Sequence, residues 1–161
     1  MIYVIMGAPC SGKTEIRKEF FDNCDYIDIY DYQENCFTLE QLQQAEDNFL
    51  HDLLKKINSK PKERVFVIEH CFSSAKRRKK YISAIRHELD YTEEINCILV
   101  WPRNEDIEYL VKQKLKTEDE NTIKRFIDYA LEWYGLFDIP TKADGFDRIY
   151  KIVPYIEEET C

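Results

Sequence analysis

The residues with the plainest chemistry stand near the amino end: Gly7, Ala8, Pro9, Cys10, Ser11, Gly12, Lys13 and Thr14. They fit the spacing G-x-x-x-x-G-K-[ST], and phosphate binding needs those types in that order. Glycines at both ends let the backbone turn tightly, so that successive N–H groups aim at phosphate oxygens. A helix opening at Gly12 or Lys13 adds the positive end of its dipole. Lys13 then reaches the β- and γ-phosphates of a nucleoside triphosphate, and the Thr14 hydroxyl ligates Mg²⁺. The competing reading is a glycine turn with a chance lysine. Cys10 holds a position the motif leaves open. It reads either as a tolerated small side chain or, beside Lys13 and a helix start, as a thiol of lowered pKa that reagents modify easily.

Such a loop needs a strand before it and a helix after it. Ile2–Met6 reads as a short buried strand, and a helix should run on to about Phe21. A second strand is expected over 26–29. Leu39, Leu42, Ala45, Phe49, Leu53 and Ile57 then form an i, i+3, i+4 stripe, which predicts an amphipathic helix over 39–58. Ser59-Lys60-Pro61-Lys62 breaks it, and 65–68 is the third strand. Ser73 or Ser74 caps a helix to about Leu89, with Tyr81, Ile82, Ile85 and Leu89 inward. The fourth strand, 95–101, stops at Pro102. Helices over 104–116 and 120–134, a loop over 136–145 and a last strand over 148–153 complete the chain. Strands separated by helices imply right-handed βαβ units, hence an α/β fold of three layers around a parallel sheet.

In open α/β sheets ligands sit outside the carboxyl ends of the strands. Asp28, Tyr30, Asp31, Tyr32 and Gln33 follow the second strand there, and Glu69 and His70 follow the third. A phosphoryl-transfer site needs one carboxylate to organise Mg²⁺ and another to accept a hydroxyl proton. Glu69 fits the first role, and Asp31 or Asp28 the second. Acids after strands also serve as helix caps and turn formers. His70 suits local hydrogen bonding better than catalysis. Lys76-Arg77-Arg78-Lys79-Lys80 opens a helix, where the dipole disfavours cations. That run is either a solvated face or a contact for an acceptor phosphate or nucleic-acid backbone. Lys112, Lys114 and Lys116, then Lys124 and Arg125, flank an acidic turn over 118–120. There a mobile lid would bring cations onto the transferring phosphoryl group, with Lys116 as a catalytic cation, unless the segment is merely an amphipathic hairpin. Trp133, Tyr134 and Phe137 read as core.

Length and composition bound the rest. The 161 residues suit one domain spanning 1–161, and 44% hydrophobic and 14% aromatic residues support a packed globule. A net charge of −8 argues against indiscriminate nucleic-acid binding but leaves room for a local basic pocket. The apolar runs are strand-sized, with no membrane span and no signal segment. The six cysteines (Cys10, Cys24, Cys36, Cys71, Cys97, Cys161) form no CxxC pair, so reduced thiols and a cytoplasmic location are expected.

Four segments together resemble the small P-loop kinases that include the kinase domain of phage-type polynucleotide 5′-kinases. They are GAPCSGKT, YIDIYDYQ at the second strand's exit, VFVIEHCFSSAKRRKKYI, and the closing FDIPTKADGFDRIYKI. The resemblance implies strand order 2-3-1-4-5, ATP and Mg²⁺, and transfer of the γ-phosphate to a hydroxyl. A polynucleotide end, nucleoside or nucleotide is the acceptor it implies. It also implies that Asp144-Gly145-Phe146-Asp147 belongs to a base-binding loop. The chain departs from that family where Tyr30 and Gln33 stand at an acid and an arginine position, and where the lid carries lysines for arginines. A Lys lacks the bidentate fork of Arg. A small metabolite or modified base as acceptor, or a binding module with little turnover, are the alternatives.

Overall fold

A computed structural model describes residues 1–59, 64–116 and 119–154. The predicted breaker Lys60-Pro61-Lys62, Glu118 of the acidic turn and Cys161 lie outside the described residues. The elements are β1 (Ile2–Met6), α1 (Lys13–Phe21), β2 (Asp25–Asp28), α2 (Tyr30–Gln33), α3 (Leu39–Asn58), β3 (Phe66–His70), α4 (Ala75–Glu88), β4 (Ile95–Val100), α5 (Ile107–Leu115), α6 (Glu120–Leu136) and β5 (Arg148–Ile152). Short 3₁₀ turns at Asn104–Asp106 and Lys142–Asp144 precede α5 and β5. All described strand pairs are parallel, in the order β2-β3-β1-β4-β5. Fold class and strand order are those expected from the sequence.

Side chains alternate across the sheet, and the core divides accordingly. Ile2, Val4, Met6, Phe66, Ile68, Ile95, Cys97 and Leu99 face a large cluster with α3, α4, α5 and α6. Ile5, Val67, Ile98 and Val100 face a smaller one with Ile16 of α1. α3 begins where Thr38 accepts from the Gln41 N–H in a capping box, which fixes its start. Its Ala45, Phe49, Leu53 and Ile57 are the buried stripe.

Three expectations change. β3 runs on through Glu69 and His70, so these are strand residues rather than followers of the strand. The stretch after β2, read as an open strand exit, contains the single-turn helix α2. The basic run on α4 is also not one solvated face. Arg78 is fully buried, its Nε donating to Asp144 Oδ2 at 2.9 Å and its Nη1 to the Phe72 carbonyl at 3.2 Å. A buried guanidinium keeps its charge, so it needs this partner 66 residues away. Asp144 also receives the Thr141 N–H at 3.2 Å, and Asp147 receives the Ile95 N–H and Arg86 Nη2, both at 2.7 Å. These acids bind β4, α4 and the closing loop together.

Candidate active site

The loop between β1 and α1 keeps its shape through two glycines of different use. Gly12 has φ +90°, in the left-handed region where a side chain is strained. At Gly7 the need is space, since a Cβ would lie 2.5 Å from Ser11 Oγ and 2.7 Å from the Val100 carbonyl. Cys10 adopts φ +60° although it is not glycine. Burial raises its thiol pKa, against the pull of Lys13 and Lys114. Of the two readings of Cys10, this favours the tolerated small side chain, because desolvation outweighs the nearby cations.

Lys13 is buried, and its Nζ donates to the Gly7 carbonyl at 3.1 Å and the Ala8 carbonyl at 2.8 Å. The same Nζ lies 5.5 Å from the centroid of the Tyr30 ring. Thr14 follows on the first turn of α1, its Oγ1 donating to Glu69 Oε1 at 2.6 Å. The other oxygen of Glu69 accepts from Arg17 Nε at 3.0 Å, one helical turn on. Glu69 is fully buried and thus acts as a fixed acceptor under the loop. Arg17 is held from the other side by the Tyr26 ring, 3.7 Å from its guanidinium carbon.

Asp28 stands opposite Glu69 in the β2–β3 register, on the same face of the sheet. Burial raises its carboxyl to about 6, with Glu69 and Asp31 adding to the rise and the Tyr30 N–H and Lys13 opposing it. Asp31 lies in the first turn of α2 and is exposed. Of the lid cations, Lys116 is the exposed left-handed cap of α5 at φ 49°, and Lys114 is the one whose charge acts on Cys10 in the loop. Tyr134 of α6 brings its hydroxyl against Ala8 and Ser11. It belongs to the loop's wall as well as to the core.

The next residue of β3, His70, points to the opposite face. Its ring stacks on Phe72 at 3.7 Å between centroids. Its Nε2 lies 3.3 Å from Glu46 Oε1 without the alignment of a hydrogen bond, and Nδ1 has no partner among the described residues. Burial lowers its pKa to about 4 despite Glu46, so the ring is neutral near pH 7. Glu46 on α3 also accepts from Tyr81 Oη at 2.6 Å, from Gln33 Nε2 at 3.3 Å and from Arg77 Nη2. Burial works to raise the Glu46 carboxyl, but His70, Tyr81 and Arg77 outweigh it and leave it lowered to about 2. Beside these residues opens a cavity of about 390 Å³, walled also by Cys71, Tyr129 and Trp133. Tyr30 reaches one of these walls, with its hydroxyl 3.0 Å from Cys71 Sγ. Glu46 is the member of this group that sequence reasoning missed. The signal was present, because an acid at 46 interrupts the stripe through Leu42, Phe49 and Leu53.

No protein-family model and no curated protein matches the sequence. Solved structures do. A fungal RNA kinase superposes with a TM-score of 0.63 at 14% identity, over 99% of this chain and 76% of that one. The fold is that of the P-loop kinases. Kti12 of Chaetomium thermophilum, solved with ADP-AlF3, gives 0.55 at 12% identity over 99% and 92% of the two chains. Shikimate kinase of Bacteroides thetaiotaomicron gives 0.51 at 16% over 94% and 85%. Among the described residues, no helix of this P-loop kinase fold is long and apolar enough to cross a membrane.

Proposed function

We propose that this protein is an ATP-dependent phosphotransferase that moves the γ-phosphate onto an acceptor hydroxyl. The observation that carries the reading is Glu69 accepting from both Thr14 and Arg17 directly under the Lys13 loop. The loop N–H groups and the start of α1 would hold the phosphates. Lys13 would exchange the Gly7 and Ala8 carbonyls for phosphate oxygens and neutralise charge on the transferring group. Thr14 would be the protein's ligand to Mg²⁺, with Glu69 orienting that hydroxyl. This suits a metal that takes few protein ligands beside phosphates and water. The chemistry Mg²⁺ supplies when bound is neutralisation of the phosphate oxygens.

The acceptor oxygen would form its bond to the γ-phosphorus as the bond to the β–γ bridging oxygen breaks. ADP would leave with that electron pair, and the hydroxyl proton would go to Asp28. Asp28 serves better than Asp31 because it shares a face with Glu69 and lies within the field of Lys13. Lys114 serves better than Lys116 as the lid cation, for its charge already acts on the loop. The test is transfer of label from γ-labelled ATP to hydroxyl acceptors, with Lys13→Ala as control. Tight ATP binding with no labelled acceptor would sink the reading.

A second reading, a nucleotide-binding module with little turnover, is favoured by Tyr30, whose ring lies 5.5 Å from Lys13 Nζ at a position where the resemblance implies an acid. The same assay separates the two.

A further inference from the structure

The fold leaves the acceptor open, since one structural neighbour is named for RNA and another for shikimate. The cavity beside His70 narrows it. Its volume of about 390 Å³ falls at the small end for single-ligand pockets, which run from roughly 300 to 1,000 Å³. Its charged walls are Glu46 and Arg77, which are bonded to each other. These two charges offset each other.

Of the basic run on α4, Arg77 is the member that lines the cavity. Arg78 is buried against Asp144, and Lys80 lies 3.7 Å from Asp47. A doubly charged phosphate placed on Arg77 would also meet Glu46, the carboxylate already bonded to that guanidinium. What the lining does offer is neutral hydrogen-bonding capacity. Gln33, Gln43 and Ser73 line the cavity, and His70 is a buried ring whose Nδ1 is without a partner among the described residues. Arg77, with a side chain 42% exposed, has further N–H groups to direct at a ligand. Tyr129 and Trp133 provide flat apolar walls for the carbon face of a ring.

Resting on the phosphotransferase reading, we propose that the acceptor is a single polyhydroxylated small molecule, uncharged or carrying one negative charge, held in this cavity by Arg77, Glu46 and His70. A polynucleotide end is disfavoured because neutralising several phosphates needs several cations, and the cavity lining holds Arg77 alone, bonded to Glu46.

The test pairs binding with transfer. Calorimetric titrations of the full chain with ADP present would use ribose, myo-inositol, adenosine, gluconate and a short 5′-hydroxyl RNA, each at low and high salt. The same panel would be offered γ-labelled ATP. At least one small compound should bind, with a logarithmic salt slope of at most about 1, against about 0.7 per neutralised phosphate for a single strand. Arg77→Ala should weaken it about tenfold or more. Tyr129→Ala, at a more exposed position, should weaken it several-fold and serves if the Arg77 variant fails to fold. The RNA binding more tightly than every small compound, an affinity indifferent to both substitutions, or no compound binding at all would each overturn the proposal. Binding of a small compound without transfer would leave the cavity's assignment standing and sink the phosphotransferase reading instead.

Discussion

Glu69 and His70 are neighbours on β3, yet they serve two different environments. Strand alternation sends Glu69 to the α1 face, where both its oxygens are taken by Thr14 and Arg17. It sends His70 to the α3 and α4 face, where the ring is equally buried but its nitrogens lack hydrogen bonds among the described residues and a cavity opens beside it. The phosphate-loop side is thus locked by charge-assisted bonds, while the cavity side keeps unspent polar groups. A site that must grip every nucleotide in one way gains from fixed partners. A site that must recognise one acceptor needs groups left over for it. The two Glu–Arg pairs repeat the contrast, for Arg17 is buried with Glu69 whereas Arg77 stands 42% exposed over Glu46.

The contrast can be broken in four ways. The largest effect is expected at Lys13. Lys13→Ala should lower kcat by about 10³-fold, the upper range for loss of a transition-state donor. Retained turnover in single-cycle assays would remove the loop from the chemistry.

Asp28 comes next. Asp28→Asn should cost about 10²-fold, the lower range for a general base. In the unsubstituted protein kcat should rise as pH passes about 6, where the Asp28 carboxyl loses its proton. A rise that survives in the D28N protein would exclude Asp28 as its source. The same raised pKa has an opposite consequence for stability. Between 3.8 and about 6 the folded protein holds a proton that the unfolded chain has released, so this group's contribution falls as pH rises through that window. Denaturant titrations of D28N against the unsubstituted protein should show that loss only in the latter.

Arg78→Ala tests whether the basic run is structural. Stranding Asp144 should cost about 3–5 kcal/mol, read as a drop in denaturation midpoint, whereas Lys79→Ala on the exposed face should stay within about 0.5 kcal/mol. Equal losses from both would mean that the buried pair carries no special weight. The smallest effect is at the lid. Lys114→Ala should lower kcat about tenfold and Lys116→Ala should hardly change it, one lost charge contact being worth about 1.4 kcal/mol. The reverse order would return Lys116 to the role its sequence position suggests.

Much of the donor side is legible in the chain. The spacing from Gly7 to Thr14, the strand before it and the helix after it are local patterns, and Glu69 follows from its place after an apolar run. The sequence left alternatives open where burial decides chemistry. Cys10 beside Lys13 looks activated until desolvation is counted. Arg77 and Arg78 are adjacent and look alike in sequence, yet one lines a cavity and the other is sealed against Asp144. The bonds of the closing Asp144 and Asp147 were not legible because their partners, Arg78, Arg86 and the Ile95 N–H, lie 52 to 66 residues away.

By itself, then, the sequence determined the phosphate loop, the α/β alternation and the strand order implied by its resemblance. Turn geometry, helix dipole and hydrophobic period all act over a few residues and leave a readable spacing. Only the tertiary structure decided which of Asp28 and Asp31 faces the loop, which lysine approaches it, and that Glu46, His70 and Arg77 share one cavity. Those outcomes depend on which face of a strand or helix each side chain takes and on how far water is excluded around it. Both are set by packing between distant elements.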